Sequence, residues 1–337
     1  MADEKVFEKD GFFKVDVEMH IVGDMAPIEY YPGVQAWWQG IAGITRHFMM
    51  GLKPEYFPTA QEITKRTEPE AIIEWMDAYG VDVACVIPES MMDTTGYATR
   101  WVTNGEAASV CERWPDRLIL TPNVGPVKIR GMKHVLWELE YLVKERNARM
   151  VKVYPPEDLP LNDPEMYPLY EKCGELDIPV AVHTGWCWVP PGVSSNCLPV
   201  LLDQVASDFP EVNFIAFHAG YPYFLDLALS AAVHTNIYYG LNLLVPWAAT
   251  APRRFAEIVG EALRFVGSER MAWGTDCAGF GVQVRGAVQG LREFEIPEDM
   301  REGYGYPPLT DNDRANIFGL NMAKLLKIEP KRRVEGV

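Results

Sequence analysis

Short apolar or β-branched runs recur eight times along the chain. In order they are "FKVDVEMHI", "VDVACVI", "RLILTPNV", "MVKVYP", "IPVAVHTG", "VNFIAFHAG", "NIYYGLN" and "RMAWGTD". Their length and residue types predict strands. Most gaps between them carry apolar residues at helical spacing. "TEPEAIIEWMDAYG" opens with a Thr67-x-x-Glu70 capping box and stops at Gly80. "GMKHVLWELEYLVKER" lines up Val135, Leu139 and Leu142 on one stripe, and "DPEMYPLYEKCGEL" starts with Asp163 as N-cap and Pro164 behind it. Strands alternating with helices across short connections must pair in parallel. Eight such units, with no G-x-G-x-x-G after the first strand, predict a closed (β/α)8 barrel, a TIM barrel, in preference to an open doubly wound sheet.

Two stretches exceed what a barrel needs. Residues 22–66, after the first strand, form an insertion rich in aromatics and methionine, including Trp37, Trp38, Phe48 and Met49. A connection of that length is expected to be functional, as a lid or a packing surface. Residues 279–310 read as loop with short helical patches, and "TDNDRANIFGLNMAKLL" as a closing helix. The expected organisation is one barrel domain over residues 1–337, with the insertion at 22–66 and a C-terminal extension at 279–337.

Composition narrows the partners. With 48% hydrophobic and 23% charged residues the chain has material for a large core, and its net charge of −16 argues against a nucleic-acid backbone as ligand. Six cysteines without a CxxC pair fit reduced thiols, and neither a signal sequence nor an apolar run of membrane-spanning length is visible. The expectation is a cytoplasmic protein with no membrane partner.

The chemistry sits at the strand ends. In "VDVEMHIVGD", Glu18 and His20 are two residues apart, so a strand points both to one face. A buried carboxylate there needs compensation, either from a metal ion or from an ordinary His–Glu hydrogen bond. His183 ends strand five, His218 ends strand six and Asp276 ends strand eight. A barrel gathers those ends at one mouth, where active sites are built. A lone histidine at a strand end is usually structural, yet here three of six histidines terminate strands. Imidazole and carboxylate donors suit one divalent ion, Zn²⁺ or Mn²⁺, with positions left for water or substrate. Trp186 and Trp188 after His183, with Phe48 and Tyr221, are candidate apolar walls for a planar substrate, and Arg46 is a candidate partner for its carboxylate.

On these motifs, and on the run from Met150 to Gly185 with "FHAGYP" and "WGTD", the sequence resembles the amidohydrolase superfamily over about residues 14–326. Within it the chain is similar to the branch of aminocarboxymuconate-semialdehyde decarboxylase and the γ-resorcylate and related aromatic acid decarboxylases. The resemblance implies that Glu18, His20, His183 and Asp276 are metal ligands, and that His218 is catalytic beside the metal, with Asp276 sharing its proton transfer. Glu in the E-x-H position implies a metal-dependent decarboxylase of a small aromatic (hydroxybenzoate-like) or unsaturated carboxylic acid, in a homodimer or larger homo-oligomer. The alternative is a hydrolase of an amide, lactone or C–C bond, or a hydratase of a keto-acid. Lys152 keeps a two-metal hydrolase in view, because carbamylated strand-four lysines bridge two metals in other amidohydrolases. Cys277-Ala278 stand where the branch commonly has Tyr-Pro, so the resemblance leaves the substrate unassigned.

Overall fold

The computed structural model describes residues 11–21, 68–88, 102–187, 192–276 and 281–334. The eight expected strands are present: β1 (Val15–Ile21), β2 (Val83–Pro88), β3 (Leu118–Leu120), β4 (Val151–Val153), β5 (Val180–His183), β6 (Phe214–Phe217), β7 (Ile237–Gly240) and β8 (Met271–Ala272). All pair in parallel in two runs, β1-β2-β3 and β4 to β8 in sequence order. A parallel bridge between Asn123 and Lys152 joins the runs at one seam. At the other, the Val17 amide donates to the Trp273 carbonyl at 3.2 Å. Closure of both seams makes the barrel.

The helices lie between the strands: α1 (Pro69–Tyr79), α2 (Asn104–Cys111), α3 (Met132–Arg146), α4 (Tyr167–Leu176), α5 (Pro199–Asp208), α6 (Phe224–Val233) and α7 (Pro252–Phe265). Their apolar faces are those the pattern predicts. Val135, Leu139 and Leu142 of α3 are buried, and α7 turns seven residues inward, among them Phe255, Ile258 and Val259. Asp163 caps a 3-10 turn, Pro164–Met166, that leads into α4, accepting from the Glu165 amide at 2.9 Å. Gly80 ends α1 in the left-handed conformation at φ 70°.

Two expectations change. The N-cap of α1 is Glu68, without a side-chain cap, and Glu70 pairs with Arg113 of the neighbouring unit. Thr67, the other half of the expected capping box, lies outside the described residues, as does the insertion at 22–66. The stretch read as loop after residue 279 contains a 13-residue helix, α8 (Gly281–Glu293), and then α9 (Glu298–Tyr304). Its glycines, 281, 286 and 290, weaken the helical signal in sequence, but Gly290 is where a side chain would meet the Val245 carbonyl oxygen at 2.6 Å. Close packing against the segment after β7 therefore decides this helix. The closing helix is present as Asp311–Ala315, Asn316–Leu320 and Asn321–Leu325, with a π turn in the middle piece.

The core has two layers. Met19 and Ile21 pack with the strand–helix layer, whereas Val15 and Val17 belong to the cluster of Ile119, Ala181, Ile215 and Phe217. Val17 and Met19 share strand parity yet join different layers. The reason is a shift of register between Asp16 and Met19 in the β1–β2 pairing. After it, Glu18 and His20 take the face opposite Met19 and Ile21.

Candidate active site

The strand ends converge as the barrel demands. Glu18, 1% exposed, sits near the centre of the cluster. Its Oε1 is 2.6 Å from Lys152 Nζ and 3.5 Å from His20 Nε2, and its Oε2 accepts from Asn242 Nδ2 at 2.8 Å and lies 3.8 Å from His218 Nδ1. His20 Nε2 is also 3.1 Å from Asp276 Oδ1. His218 Nε2 is 3.1 Å from His183 Nδ1, and His183 Nε2 is 3.1 Å from the Trp186 carbonyl oxygen. Residues from β1, β5, β6 and the segment after β8 thus form one connected group, as the strand-end reading expects.

The proton positions follow from these contacts. The Trp186 carbonyl can only accept, so His183 Nε2 carries the hydrogen and its Nδ1 keeps a lone pair. Burial first, and then His218 and Lys152, hold the His183 pKa well below the ordinary imidazole value. His183 is neutral, and His218 Nε2–H donates to it. Burial likewise lowers the His218 pKa, leaving a bare Nδ1, a buried nitrogen with no hydrogen-bond partner among the described residues, that faces Glu18. Burial alone would raise the Glu18 pKa. Lys152 and the hydrogen bond from His20 outweigh it, and the carboxyl ends well below its usual range.

Backbone strain marks the same positions. His218 and Asp276 adopt φ of 62° and 51°, a region that non-glycine residues seldom occupy. Asp16 braces the mouth from below: it accepts from Thr275 Oγ1 at 2.6 Å, the Thr275 amide at 2.9 Å and the Glu18 amide at 3.1 Å. Despite those bonds, burial pushes its pKa up to about 7. Gly185, at φ 97°, follows the strand that carries His183, and a Cβ there would meet the Tyr221 carbonyl oxygen at 2.2 Å. Gly185→Ala is expected to cost at least roughly 3 kcal/mol in urea unfolding, because left-handed backbone and overlap with main chain add together.

The predicted substrate contacts divide. Arg46, Phe48 and Trp188 lie outside the described residues, as does Cys277. Trp186 is described, with its side chain about half exposed, and its amide donates to the Tyr221 carbonyl at 2.9 Å. The Tyr221 ring packs edge-on against Trp247 with centroids 5.0 Å apart. Two contributors went unread in sequence. Asn242 follows β7 and holds Glu18, and Tyr154 follows β4 with its ring edge-on to His183 at 4.9 Å. Asn242 obeys the same strand-end rule as the histidines and was legible by it. Tyr154 looks like one more core aromatic until the barrel closes.

The donors suit a divalent cation. One ligand atom each from Glu18, His218 and Asp276 lie within 4.8 Å of one another, and His20 Nε2 touches both carboxylates. Hard oxygen and borderline nitrogen donors, mostly buried, with the unpartnered His218 Nδ1 among them, match Zn²⁺ or Mn²⁺ chemistry. His183 stands one ring behind this trio, with its two nitrogens on Trp186 and His218.

A parallel α/β barrel with a buried acid–imidazole cluster at its strand ends defines the class. The amidohydrolase family model matches residues 94–328, more than half of the chain, and the chain belongs to that family. Protein fluG of Emericella nidulans is 32% identical over 78 residues, a stretch that is 23% of this chain and only 9% of that protein. Among solved structures, an uncharacterized TIM-barrel protein of Bordetella bronchiseptica is 18% identical with a TM-score of 0.65, covering 93% of this chain and 98% of its own. A 5-carboxyvanillate decarboxylase of Novosphingobium aromaticivorans, in complex with manganese and 4-hydroxy-3-methoxy-5-nitrobenzoic acid, is 13% identical with a TM-score of 0.60, covering 97% and 99%. The 4-oxalomesaconate hydratase of Rhodopseudomonas palustris is 18% identical with a TM-score of 0.55, covering 94% and 96%. At these identities the likeness establishes the barrel, and the chemistry must be argued from the residues.

Among the described residues no helix is long and apolar enough to cross a membrane. Cys85, Cys111, Cys173, Cys187 and Cys197 are buried and form no disulfide among the described residues.

Proposed function

We propose that this protein is a cation-dependent, non-oxidative decarboxylase of a small aromatic or unsaturated carboxylic acid. The observation that carries the reading is the contact of His20 Nε2 with both Glu18 and Asp276, at 3.5 and 3.1 Å, beside the His183–His218 pair. Glu18, His20 and Asp276 are assigned to hold the ion, together with His183, whose Nδ1 would exchange its hydrogen bond from His218 for the ion, and His218 with Asp276 to move the proton. When bound, a divalent ion supplies Lewis acidity, stabilising negative charge on a substrate oxygen.

The remaining chemistry belongs to the side chains. Loss of CO₂ leaves an electron pair on carbon, and a proton must take the place of the carboxylate. Asp276 is the outermost acid of the cluster, its side chain 21% exposed where Glu18 is 2%. That exposure supports assigning it to meet the substrate. Neutral His218 behind it exchanges the proton, and the His183–Trp186 contacts fix the ring that does so. Burial of Glu18, Lys152 and both histidines excludes water from the inner side of the centre.

The second reading, hydrolysis or hydration, uses the same residues with water as nucleophile and Asp276 or His218 as base. The shared fold of the hydratase favours keeping it. The test supplies Mn²⁺- or Zn²⁺-replete protein with a panel of hydroxylated benzoates beside esters and lactones. CO₂ release with loss of the carboxylated chromophore is the expected result. Product formation without CO₂ assigns the second reading instead.

A further inference from the structure

Lys152 is 3% exposed and lies on β4, across the barrel from β1. Its Nζ is 2.6 Å from Glu18 Oε1 and 3.8 Å above the centroid of the Phe217 ring. A buried ammonium needs a countercharge and donors satisfied, and the carboxylate and the ring face provide both. On the other side of Glu18, Asn242 donates to Oε2 from a fully buried position. Space for that amide is made by Gly240, where a Cβ would lie 2.6 Å from Asn242 Oδ1. Both oxygens of Glu18 are therefore held by partners from β4 and from the segment after β7.

We infer that Lys152 is a positioning residue, the built-in countercharge of Glu18, which with Asn242 clamps the carboxylate facing His20 and His218, so that a divalent cation binds there against a positive charge the protein already carries. The inference rests on the assignment of Glu18 to the cation centre. It goes beyond that assignment in keeping Lys152 an unmodified ammonium. A carbamate on Nζ would set a second anion against the Glu18 oxygen that the ammonium now holds at 2.6 Å.

The test compares metal-stripped wild type, K152M, E18Q and E18Q/K152M by thermal unfolding, then titrates wild type and K152M with Mn²⁺ against a chromophoric chelator. K152M strands a buried carboxylate, so its melting temperature is expected to fall by on the order of 5 °C. E18Q strands the ammonium and falls likewise. The double variant removes both charges and should regain at least half of the single losses, the signature of a coupled pair. Mn²⁺ should bind K152M at least tenfold more tightly than wild type, still one per chain, and raise its melting temperature further than that of wild type. Added bicarbonate should change none of these values.

Weaker Mn²⁺ binding to K152M, bicarbonate-dependent binding of a second ion by wild type, or losses that simply add in the double variant would each overturn the inference. Should K152M fail to fold when stripped, the double variant decides: its folding supports the pair and its failure overturns it. An absence of any Mn²⁺ effect in wild type sinks the cation assignment itself, whereas the four-protein melting comparison judges the charge pair independently.

Discussion

His218→Ala removes turnover, by roughly 10²- to 10⁴-fold in kcat, while the protein keeps one divalent ion per chain. The expectation follows from where the ring is tied. Its Nε2–H donates to neutral His183 at 3.1 Å, and its backbone is strained at φ 62° to hold the ring beside Glu18. A proton carrier needs that fixed position, and alanine leaves nothing in its place. Initial rates with the best benzoate, and metal content by elemental analysis of the same sample, check both halves. Loss of the ion together with turnover would place His218 among the ligands instead of His183. The approach of Glu18, His218 and Asp276 donor atoms within 4.8 Å would then be the ligand geometry itself.

Asp276→Asn has the second large effect. One carboxylate oxygen bonds His20 Nε2 at 3.1 Å, and the residue is strained at φ 51°. Asparagine preserves size and tolerates that backbone conformation, so folding should survive. The missing negative charge should weaken divalent-ion affinity by at least about 100-fold, since even the partners of metal ligands are worth 10- to 100-fold. Turnover should be lost even at saturating metal, because an amide cannot carry the proton. Chelator competition and rate measurements at high Mn²⁺ separate the two effects. Retained activity at saturating metal would take proton transfer away from Asp276.

Much of the architecture was legible because it is periodic. Alternation marked eight strands, and helical spacing marked the buried faces of α3 and α7. The candidate site was legible for a related reason: polar residues at apolar strand ends are conspicuous, and barrel closure brings strand ends together. His20, His183, His218 and Asp276 all conform. Where a long-range contact overrode a local signal, the reading failed. The N-cap of α1 fell on Glu68, with Glu70 paired to Arg113, and α8 formed across glycines that pack against the β7–α7 segment. Asn242 and Lys152 carried no local mark of their attachment to Glu18, 224 and 134 residues away.

The order of strands, the parallel barrel and the identity of the five strand-end residues are thus properties of the sequence alone, since hydrophobic period and residue type are local. Only the folded chain decided which way Glu18 points and what holds it. The register shift between Asp16 and Met19 turns Glu18 and His20 to the face away from the helices, and Lys152 and Asn242 then take its two oxygens from across the barrel. Such choices depend on distances between segments remote in the chain, and those distances exist only after the ring of strands has closed.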